Sequence, residues 1–320
     1  MNNRKSIKNI FIVGALIALF TASIITPIDR EDRNKIEAQP VNQEVLGVEE
    51  NIYNPFKNLE IIAESSIVWD IKKQKSLFEK DPDNIIPLAS ITKMIMAAVS
   101  SDTLHPNTEI SIDKEFLEAE GDSGLLLNER WLFKDLLEFT LMASSNDGAK
   151  AIASIAGSVE RGGGNYEEGR EEFVRKMNNK MESWNLLNIN VKNETGLDKD
   201  EFQSGAYGTA REISLLFENL LKEYPEILES TRKNLKTFTS LDGIEHLAKN
   251  TNLTISEIPG LIGSKTGFTD LAGGNLAVVF EPVFGRPIVL VVLGSTFEGR
   301  FGDIKNLMGA TRNYLKTETI

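Results

Sequence analysis

Two short apolar segments near the start of the globular part of this chain are separated by polar residues. Residues 66–71 and 76–79, joined by the polar residues 72–75, predict a β-hairpin. Apolar runs rich in β-branched residues return near the C-terminus and predict further strands at residues 260–265, 275–280 and 288–294.

Helical spacing dominates the stretch between these strands. Apolar residues three and four positions apart predict helices at residues 90–99, 133–142, 146–157, 167–184, 209–222 and 303–315. Strands are thus followed by a long helical stretch, further strands and a closing helix. This order predicts an α/β fold of the α+β type: a mostly antiparallel sheet flanked by helices, with a helical subdomain inserted at about residues 104–235.

The first 57 residues do not share this pattern. An apolar run over residues 10–28 follows Arg4, Lys5 and Lys8, and a helix of ~19 residues spans about 28 Å, close to the thickness of a bilayer core. We predict that residues 1–28 are a membrane anchor with the N-terminus inside, or alternatively a signal segment cleaved near residues 21–23.

Residues 29–57 are polar, lack apolar periodicity and predict a flexible linker to a domain at residues 58–320. We therefore expect a single-pass protein of the cell membrane with this domain on the extracytoplasmic side, or a secreted protein if the N-terminal segment is cleaved.

Composition excludes several classes of function. Lys and Arg number 35 against 47 Asp and Glu, a formal net charge of −12, and an acidic chain without a basic cluster argues against nucleic-acid binding. The absence of cysteine excludes disulfides, thiolate zinc sites and cysteine nucleophiles. His105 and His246 are the two histidines, too few for a metal site built on imidazole ligands. We expect neither a metal nor a cofactor.

Three short polar motifs carry the candidate chemistry: Ser90-Ile91-Thr92-Lys93, Ser144-Ser145-Asn146 and Lys265-Thr266-Gly267. Lys93 lies one helical turn after Ser90, on the same face. A lysine whose pKa is lowered by burial or by a neighbouring cation, here Lys265, can deprotonate a serine hydroxyl. Together the motifs supply a nucleophile, two lysines, a second hydroxyl and an amide, which is an acyl-transfer site without histidine.

Each motif taken alone has a simpler interpretation. The second lies between two predicted helices, where Ser144 or Asn146 could serve as a helix cap. The third could be a turn, and it is not a phosphate-binding loop because Ser264, instead of glycine, precedes Lys265. Further Ser-x-x-Lys matches at residues 111–114 and 230–233 lie in a strand-like and a charged segment, and we expect them to be surface residues.

Six segments in order carry a resemblance to a known family: IPLASITKMI from residue 86, LMASSNDGAKAIA from 141, NETGLD from 193, GTAREIS from 208, KNTNLT from 249 and GLIGSKTGFTDLAGGNLA from 260. Over about residues 59–316 the chain resembles the D-alanyl-D-alanine carboxypeptidases, the low-molecular-mass penicillin-binding proteins of the serine-type S11 peptidase family. The resemblance implies a β-lactamase/transpeptidase-like fold and removal of the terminal D-alanine from peptidoglycan stem pentapeptides.

The resemblance also implies a role for each motif residue. Ser90 would be the nucleophile, Lys93 the general base and Ser144 the proton relay to the leaving D-alanine. The substrate-binding residues would be Asn146, Lys265, Thr266, Gly267 and Phe268. The backbone N–H groups of Ser90 and Phe268 would form the oxyanion hole. β-Lactam antibiotics would acylate the same serine.

Three alternatives remain open within this resemblance. A D,D-endopeptidase would use the same site to cut peptidoglycan cross-links. A class A-like β-lactamase would also need a Glu-x-x-x-Asn loop, which we do not find convincingly before Lys265. A non-enzymatic wall-binding module would be expected to have lost Ser90 or Lys93. The chain ends just after the resembling region, without the C-terminal anchor of many relatives, and we expect the N-terminal apolar segment to replace that anchor.

Overall fold

The computed structural model describes residues 54–318. The predicted anchor at residues 1–28, and the predicted linker as far as residue 53, lie outside this part of the chain. Within residues 54–318, no helix combines the length and the apolar character needed to cross a membrane.

The elements follow one another from strand to helix and back to strand. The strands are β1 (Ser65–Asp70), β2 (Lys75–Lys80), β3 (Ile86–Pro87), β4 (Glu109–Ser111), β5 (Arg130–Leu132), β6 (Asn190–Val191), β7 (Ala206–Gly208), β8 (Leu235–Thr239), β9 (Glu245–Lys249), β10 (Leu261–Thr269), β11 (Gly273–Val283) and β12 (Arg286–Ser295). The helices are α1 (Thr92–Thr103), α2 (Phe133–Ala143), α3 (Asn146–Arg161), α4 (Tyr166–Ser183), α5 (Ala210–Glu223), α6 (Pro225–Ser230) and α7 (Gly299–Thr317).

A five-stranded antiparallel sheet with the order β10-β11-β12-β1-β2 forms the centre of the fold. The predicted N-terminal hairpin and the three predicted C-terminal strands are confirmed as its members. Strand β1 pairs with β12, so that Ser65 lies opposite Leu293 and the two ends of the domain meet in one sheet. Strands β11 and β12 are nearly continuous apolar runs because both faces of the sheet are covered.

Each face of the sheet packs on its own set of helices. Alternate residues of β11 and β12 contact α7 on one face, with Leu276, Val278, Leu290, Val292, Ile304 and Leu307 in that core. The intervening residues face α5 and the helical region, with Ala277, Val279, Val289, Val291, Ile213 and Phe217 in that core. The predicted sheet covered by helices, with a helical region between its two halves, is therefore confirmed.

The boundaries of the helical region remain a prediction. Helices α1 to α5 match the predicted helices, and α7 begins four residues before the predicted position 303. However, the side chains of α2, α3 and α4 belong to the same buried cluster as those of α1, α5 and the sheet, so no separate core marks residues 104–235.

The structure also contains short elements that the hydrophobic pattern did not predict, including the β8–β9 hairpin. In β9 the buried positions alternate as expected but are occupied by His246 and Ala248, which give a weak apolar signal.

Asn275 joins the sheet to the chain just before Ser90. This fully buried side chain donates from Nδ2 to the Pro87 carbonyl oxygen at 2.9 Å, while its Oδ1 accepts from the Gly294 backbone N–H at 2.8 Å. One amide thus connects β11 with β12 and β3. Replacing Asn275 would leave both of its backbone partners without a buried hydrogen bond. This residue therefore positions the segment that leads to Ser90.

We predict that Asn275→Ala lowers the free energy of unfolding by about 2–4 kcal/mol, because two backbone groups lose their hydrogen-bond partner. Urea denaturation of the two proteins measures the difference. The matched control is Asn306→Ala, since the Asn306 amide contacts the Glu60 carbonyl at the surface and should change stability little. Equal stability of the Asn275 variant and the unmodified protein would contradict the positioning role.

Candidate active site

Ser90 lies in a single 3-10 turn, Ala89–Ile91, that leads directly into α1. The preceding residue, Ala89, has φ +48°, a left-handed conformation that disfavours residues with a Cβ atom. The hydroxyl of Thr92 donates to the Ala89 carbonyl at 2.7 Å and secures the turn. Strained backbone of this kind is typical of functional sites, where surrounding contacts hold it in place.

Lys93 connects the first two sequence motifs. Its fully buried Nζ donates to Ser90 Oγ at 2.9 Å, to Asn146 Oδ1 at 2.7 Å and to the Thr195 carbonyl oxygen at 2.8 Å. The predicted placement of Ser90 and Lys93 on one helical face is thus confirmed. Three acceptors around one amine fix its position next to the serine hydroxyl.

Burial sets the protonation of Lys93. Desolvation lowers the pKa of its amine to about 7, and the negative charge of Glu194 acts in the opposite direction. Near neutral pH a substantial fraction of Lys93 is therefore an unprotonated amine, able to accept a proton from Ser90.

Lys265 forms a second network with the other serine. Its Nζ donates to Ser144 Oγ at 2.9 Å and to the Thr266 carbonyl oxygen at 2.9 Å. Burial lowers the pKa of Lys265 well below its usual value, and the nearby positive charges of Lys93 and Arg300 lower it further. Burial, one of the two causes predicted from the sequence, thus lowers the pKa of both lysines, and the neighbouring cations act on Lys265.

The Ser144–Asn146 motif does not cap α3 in the predicted way. Ser145 is the N-cap, because its Oγ accepts from the Gly148 backbone N–H at 2.9 Å, so the prediction that Ser144 or Asn146 caps this helix is wrong. Ser144 instead ends α2 in a left-handed conformation at φ +57°. Asn146 begins α3, and its amide nitrogen donates to the Glu120 carbonyl at 2.7 Å while its oxygen faces Lys93.

Gly267 lets β10 lie directly against the Ser90 turn. A Cβ atom added at this glycine would lie 2.8 Å from the Leu88 carbonyl oxygen and 3.1 Å from the Ser90 backbone nitrogen. The next residue, Phe268, has a side chain 46% exposed at the edge of the site. On the other side of Gly267, Thr266 Oγ1 lies 2.5 Å from the hydroxyl of Thr251.

Arg300 is a functional candidate that the sequence did not indicate. It lies in the first turn of α7 with 3% exposure, and its Nη1 donates to the Gly267 carbonyl oxygen at 2.7 Å. Its guanidinium stacks 4.4 Å from the Phe297 ring centroid, and burial lowers its pKa to about 10. The only available signal was an arginine flanked by phenylalanines at positions 297 and 301.

Thr195 was also missed as a contact of Lys93. Its segment, NETGLD, belongs to the resemblance, but a backbone carbonyl leaves no mark on the residue type. Glu194 beside it is buried, and its Oε1 lies 3.3 Å from the Arg170 Nε.

A cavity of about 420 Å³ opens next to Phe268. Its wall is formed by Glu120, Leu197, Asp198, Asp200, Glu201, Phe268, Thr269, Asp270 and Leu271. Within residues 54–318 no cluster of three or more His, Asp or Glu side chains could hold a metal ion. The two serines, each with a buried lysine at hydrogen-bond distance, can therefore support acyl transfer.

Solved structures share this fold. The penicillin-binding protein D2 of Listeria monocytogenes, in its cefotaxime-bound form, superposes with a TM-score of 0.65 at 27% identity over 79% of this chain and 98% of that one. A mutant of the Streptomyces K15 DD-transpeptidase superposes with a TM-score of 0.71 at 22% identity, over 78% and 98% of the two chains. The fold is that of the penicillin-binding and transpeptidase class.

Sequence comparison defines the family within this class. The D-alanyl-D-alanine carboxypeptidase (S11 peptidase) family profile matches residues 52–296, so the chain belongs to this family of serine-type D,D-peptidases. It is 29% identical to the D-alanyl-D-alanine endopeptidase of Escherichia coli (strain K12), over 79% of this chain and 76% of that protein. It is 27% identical to the carboxypeptidase DacF of Bacillus subtilis (strain 168), over 77% and 61% of the two chains.

We predict that Gly267→Ala lowers the free energy of unfolding by about 1–3 kcal/mol, because the added methyl group overlaps the backbone at Leu88 and Ser90. Urea denaturation measures the change. Gly302→Ala in α7 is the matched control: its Cβ would meet open space, and alanine should stabilise the helix by up to about 1 kcal/mol. Equal changes in the free energy of unfolding of the two variants would refute the close approach of β10 to the Ser90 turn.

Proposed function

We propose that this protein is a D,D-carboxypeptidase that removes the terminal D-alanine from peptidoglycan stem pentapeptides through an acyl-enzyme on Ser90. The observation that carries the proposal is the pair of buried lysine–serine hydrogen bonds, Lys93 with Ser90 and Lys265 with Ser144, within a chain that belongs to the D-alanyl-D-alanine carboxypeptidase family. β-Lactam antibiotics would acylate the same serine, as the ampicillin-bound and cefotaxime-bound forms of the Listeria protein support.

Acylation begins with proton transfer from Ser90 to Lys93. Lys93 Nζ lies 2.9 Å from the hydroxyl oxygen, and its lowered pKa of about 7 leaves it able to act as the base. The Ser90 oxygen then bonds to the carbonyl carbon between the two D-alanines, and negative charge develops on the carbonyl oxygen. The backbone N–H groups of Ser90 and Phe268 donate hydrogen bonds to this oxygen and so stabilise its negative charge. One such donor stabilises the transition state by ~3 kcal/mol.

Collapse of the intermediate breaks the peptide bond. Ser144 gives its hydroxyl proton to the departing amine of D-alanine and takes in its place the proton that Lys93 received from Ser90, so Lys93 becomes neutral again; Lys265, 2.9 Å from Ser144 Oγ, supports this transfer. A water molecule then attacks the carbonyl carbon of the Ser90 ester and gives a proton to Lys93, which returns it to Ser90 Oγ as the ester bond breaks and the shortened peptide leaves. Asn146 positions the backbone of the peptide.

The terminal carboxylate of the substrate is bound near β10. Thr266 supplies a hydroxyl, Arg300 a buried positive charge and Lys265 a buried amine. No carboxylate within residues 54–318 forms an ion pair with Lys265 or Arg300, so an incoming carboxylate has no competitor from the protein and favours the protonated form of Lys265.

Endopeptidase action on peptidoglycan cross-links is the second candidate function. Two relatives with this name are as similar as the carboxypeptidases: the Escherichia coli protein at 29% identity and the Pseudomonas aeruginosa protein at 30%. We further propose that the domain works on the extracytoplasmic side of the membrane, held by the apolar segment at residues 10–28, because peptidoglycan lies outside the membrane.

We predict that the protein forms a long-lived benzylpenicillin adduct on Ser90, and that Ser90→Ala abolishes it together with peptidase activity. Intact-mass spectrometry over time follows the adduct. Ser230→Ala, from the other Ser-x-x-Lys match, is the control and should leave the adduct unchanged. An adduct on the Ser90 variant would refute the assignment of the nucleophile, and rapid hydrolysis of the drug would instead indicate a β-lactamase.

The same preparation decides between the two substrates. The protein is incubated with stem pentapeptide or with cross-linked muropeptide dimer. Liquid chromatography then measures the release of D-alanine from the pentapeptide and of monomers from the dimer. Faster release of D-alanine supports the carboxypeptidase. Faster cleavage of the dimer would replace it with the endopeptidase.

We predict that the acylation rate rises with pH through about 7, because Lys93 must be neutral to accept the proton. Glu194→Gln removes a negative charge that raises the pKa of Lys93, so the rise should move to lower pH. Rates of benzylpenicillin acylation between pH 5 and pH 9 measure this shift. Glu171→Gln, an exposed neighbour, is the control, and an unshifted profile for the Glu194 variant would refute the coupling.

A further inference from the structure

The turn between β11 and β12 exposes two adjacent apolar side chains. Phe284 is 96% exposed and Val283 is 51% exposed. Val283 and Pro282 also line a small cavity with Leu315 of α7, so the apolar surface continues from the turn to the last helix. Single exposed apolar residues are common, but a contiguous patch at a projecting turn is typical of an interaction site.

Basic residues surround this turn. The Ile71 backbone N–H donates to the Pro287 carbonyl at 3.3 Å, which brings the β1–β2 turn to the same end of the sheet. We call this end the basic tip: Val283 and Phe284 together with the cations Lys72, Lys73, Lys75, Arg286, Arg312 and Lys316.

The carboxylates at the basic tip do not cancel its charge. Asp70 is held by Arg286, Glu318 is held by Lys73 and Arg286, and Glu281 accepts from the Gly285 backbone N–H. Six cations thus face three carboxylates, a local excess of three positive charges in a chain of net charge −12. Glu218 lies close by but is balanced by Lys222 at 2.5 Å. Among the described residues, no carboxylate pairs with the free cations Lys72, Lys75 and Lys316.

The basic tip lies at the opposite end of β11 from the candidate active site. Phe284 lies nine positions after Asn275, which secures the Ser90 segment, and at about 3.4 Å per residue of extended strand this is a distance of ~30 Å. The chain that follows the N-terminal apolar segment enters the described domain near α7, where Phe56 packs on Phe78 and Tyr314 with centroid distances of 5.6 and 5.9 Å. Tyr314 lies within one turn of Lys316.

We propose that the basic tip binds the surface of a membrane containing anionic phospholipids, with Phe284 inserted at the level of the headgroups. The proposal depends on the extracytoplasmic, membrane-held location given above. Anionic headgroups attract the excess cations, while the interfacial region accepts the aromatic ring. The acidic remainder of the chain is repelled by the same surface, so binding orients the domain. The active site is then held ~30 Å from the headgroups, on the side that faces the wall.

A single fluorescent probe tests the proposal, because the chain contains no cysteine of its own. The full chain carrying Val283→Cys is labelled with an environment-sensitive dye and reconstituted into vesicles of phosphatidylglycerol and phosphatidylcholine. Lipids with a nitroxide near the headgroup quench dyes that contact the membrane. The matched control carries the dye at Phe202→Cys, an 88% exposed position next to Asp200 and Glu201 in the wall of the cavity beside Phe268.

We predict that quenching is at least about twofold stronger at position 283 than at position 202 in the anionic vesicles. Adding Phe284→Ser, or Lys72→Glu with Lys316→Glu, should reduce it to the level of the control, and raised salt should weaken it. Similar quenching at both positions, or equal quenching at position 283 in vesicles of phosphatidylcholine alone, would overturn the proposal.

Two further outcomes would also count against it. A dye at position 283 that is shielded from both the lipid nitroxide and aqueous iodide would indicate a protein partner in place of a membrane. Chain that fails to float with the vesicles would refute the membrane location as well. The benzylpenicillin adduct on Ser90 does not depend on any of these results, so the enzymatic proposal is tested separately.

Discussion

The burial of two lysine amines, each hydrogen-bonded to a serine hydroxyl, is the constraint on which the rest of the site depends. Removing an ammonium group from water is costly unless it is hydrogen-bonded or becomes neutral. Here both happen: Lys93 is surrounded by three oxygen acceptors, and its pKa falls to about 7. Lys265 follows the same pattern with the Ser144 hydroxyl and the Thr266 carbonyl.

Such burial requires elements that are distant in the sequence to meet at one point. Lys93 comes from α1, and its acceptors come from α1, the start of α3 and the loop at Thr195, about one hundred residues later. Strand β10 closes the site because Gly267 has no side chain, and Asn275 on the next strand holds the chain before Ser90. The antiparallel sheet is therefore the frame that brings the first and last thirds of the domain together.

Local patterns predicted a large part of this arrangement. The sheet strands and the long helices follow from apolar periodicity, and the contact between Ser90 and Lys93 follows from their spacing on one helical turn. The approach of Lys265 to Ser144 could be expected only from the family resemblance, because the two residues are 121 positions apart. The contact made by the Thr195 carbonyl had no signal at all, since any residue type supplies such a carbonyl.

The charges of the two lysines and of Glu194 also influence the pKa values of the lysines. A protonated Lys93 makes a charge on Lys265 less favourable, while the Glu194 carboxylate makes a charge on Lys93 more favourable. Arg170 partly neutralises Glu194, with the two groups 3.3 Å apart, and so limits that effect. Burial, partly offset by the Glu194 carboxylate, thus gives Lys93 a pKa near 7. A substrate carboxylate that arrives beside Lys265 would favour the protonated form of Lys265.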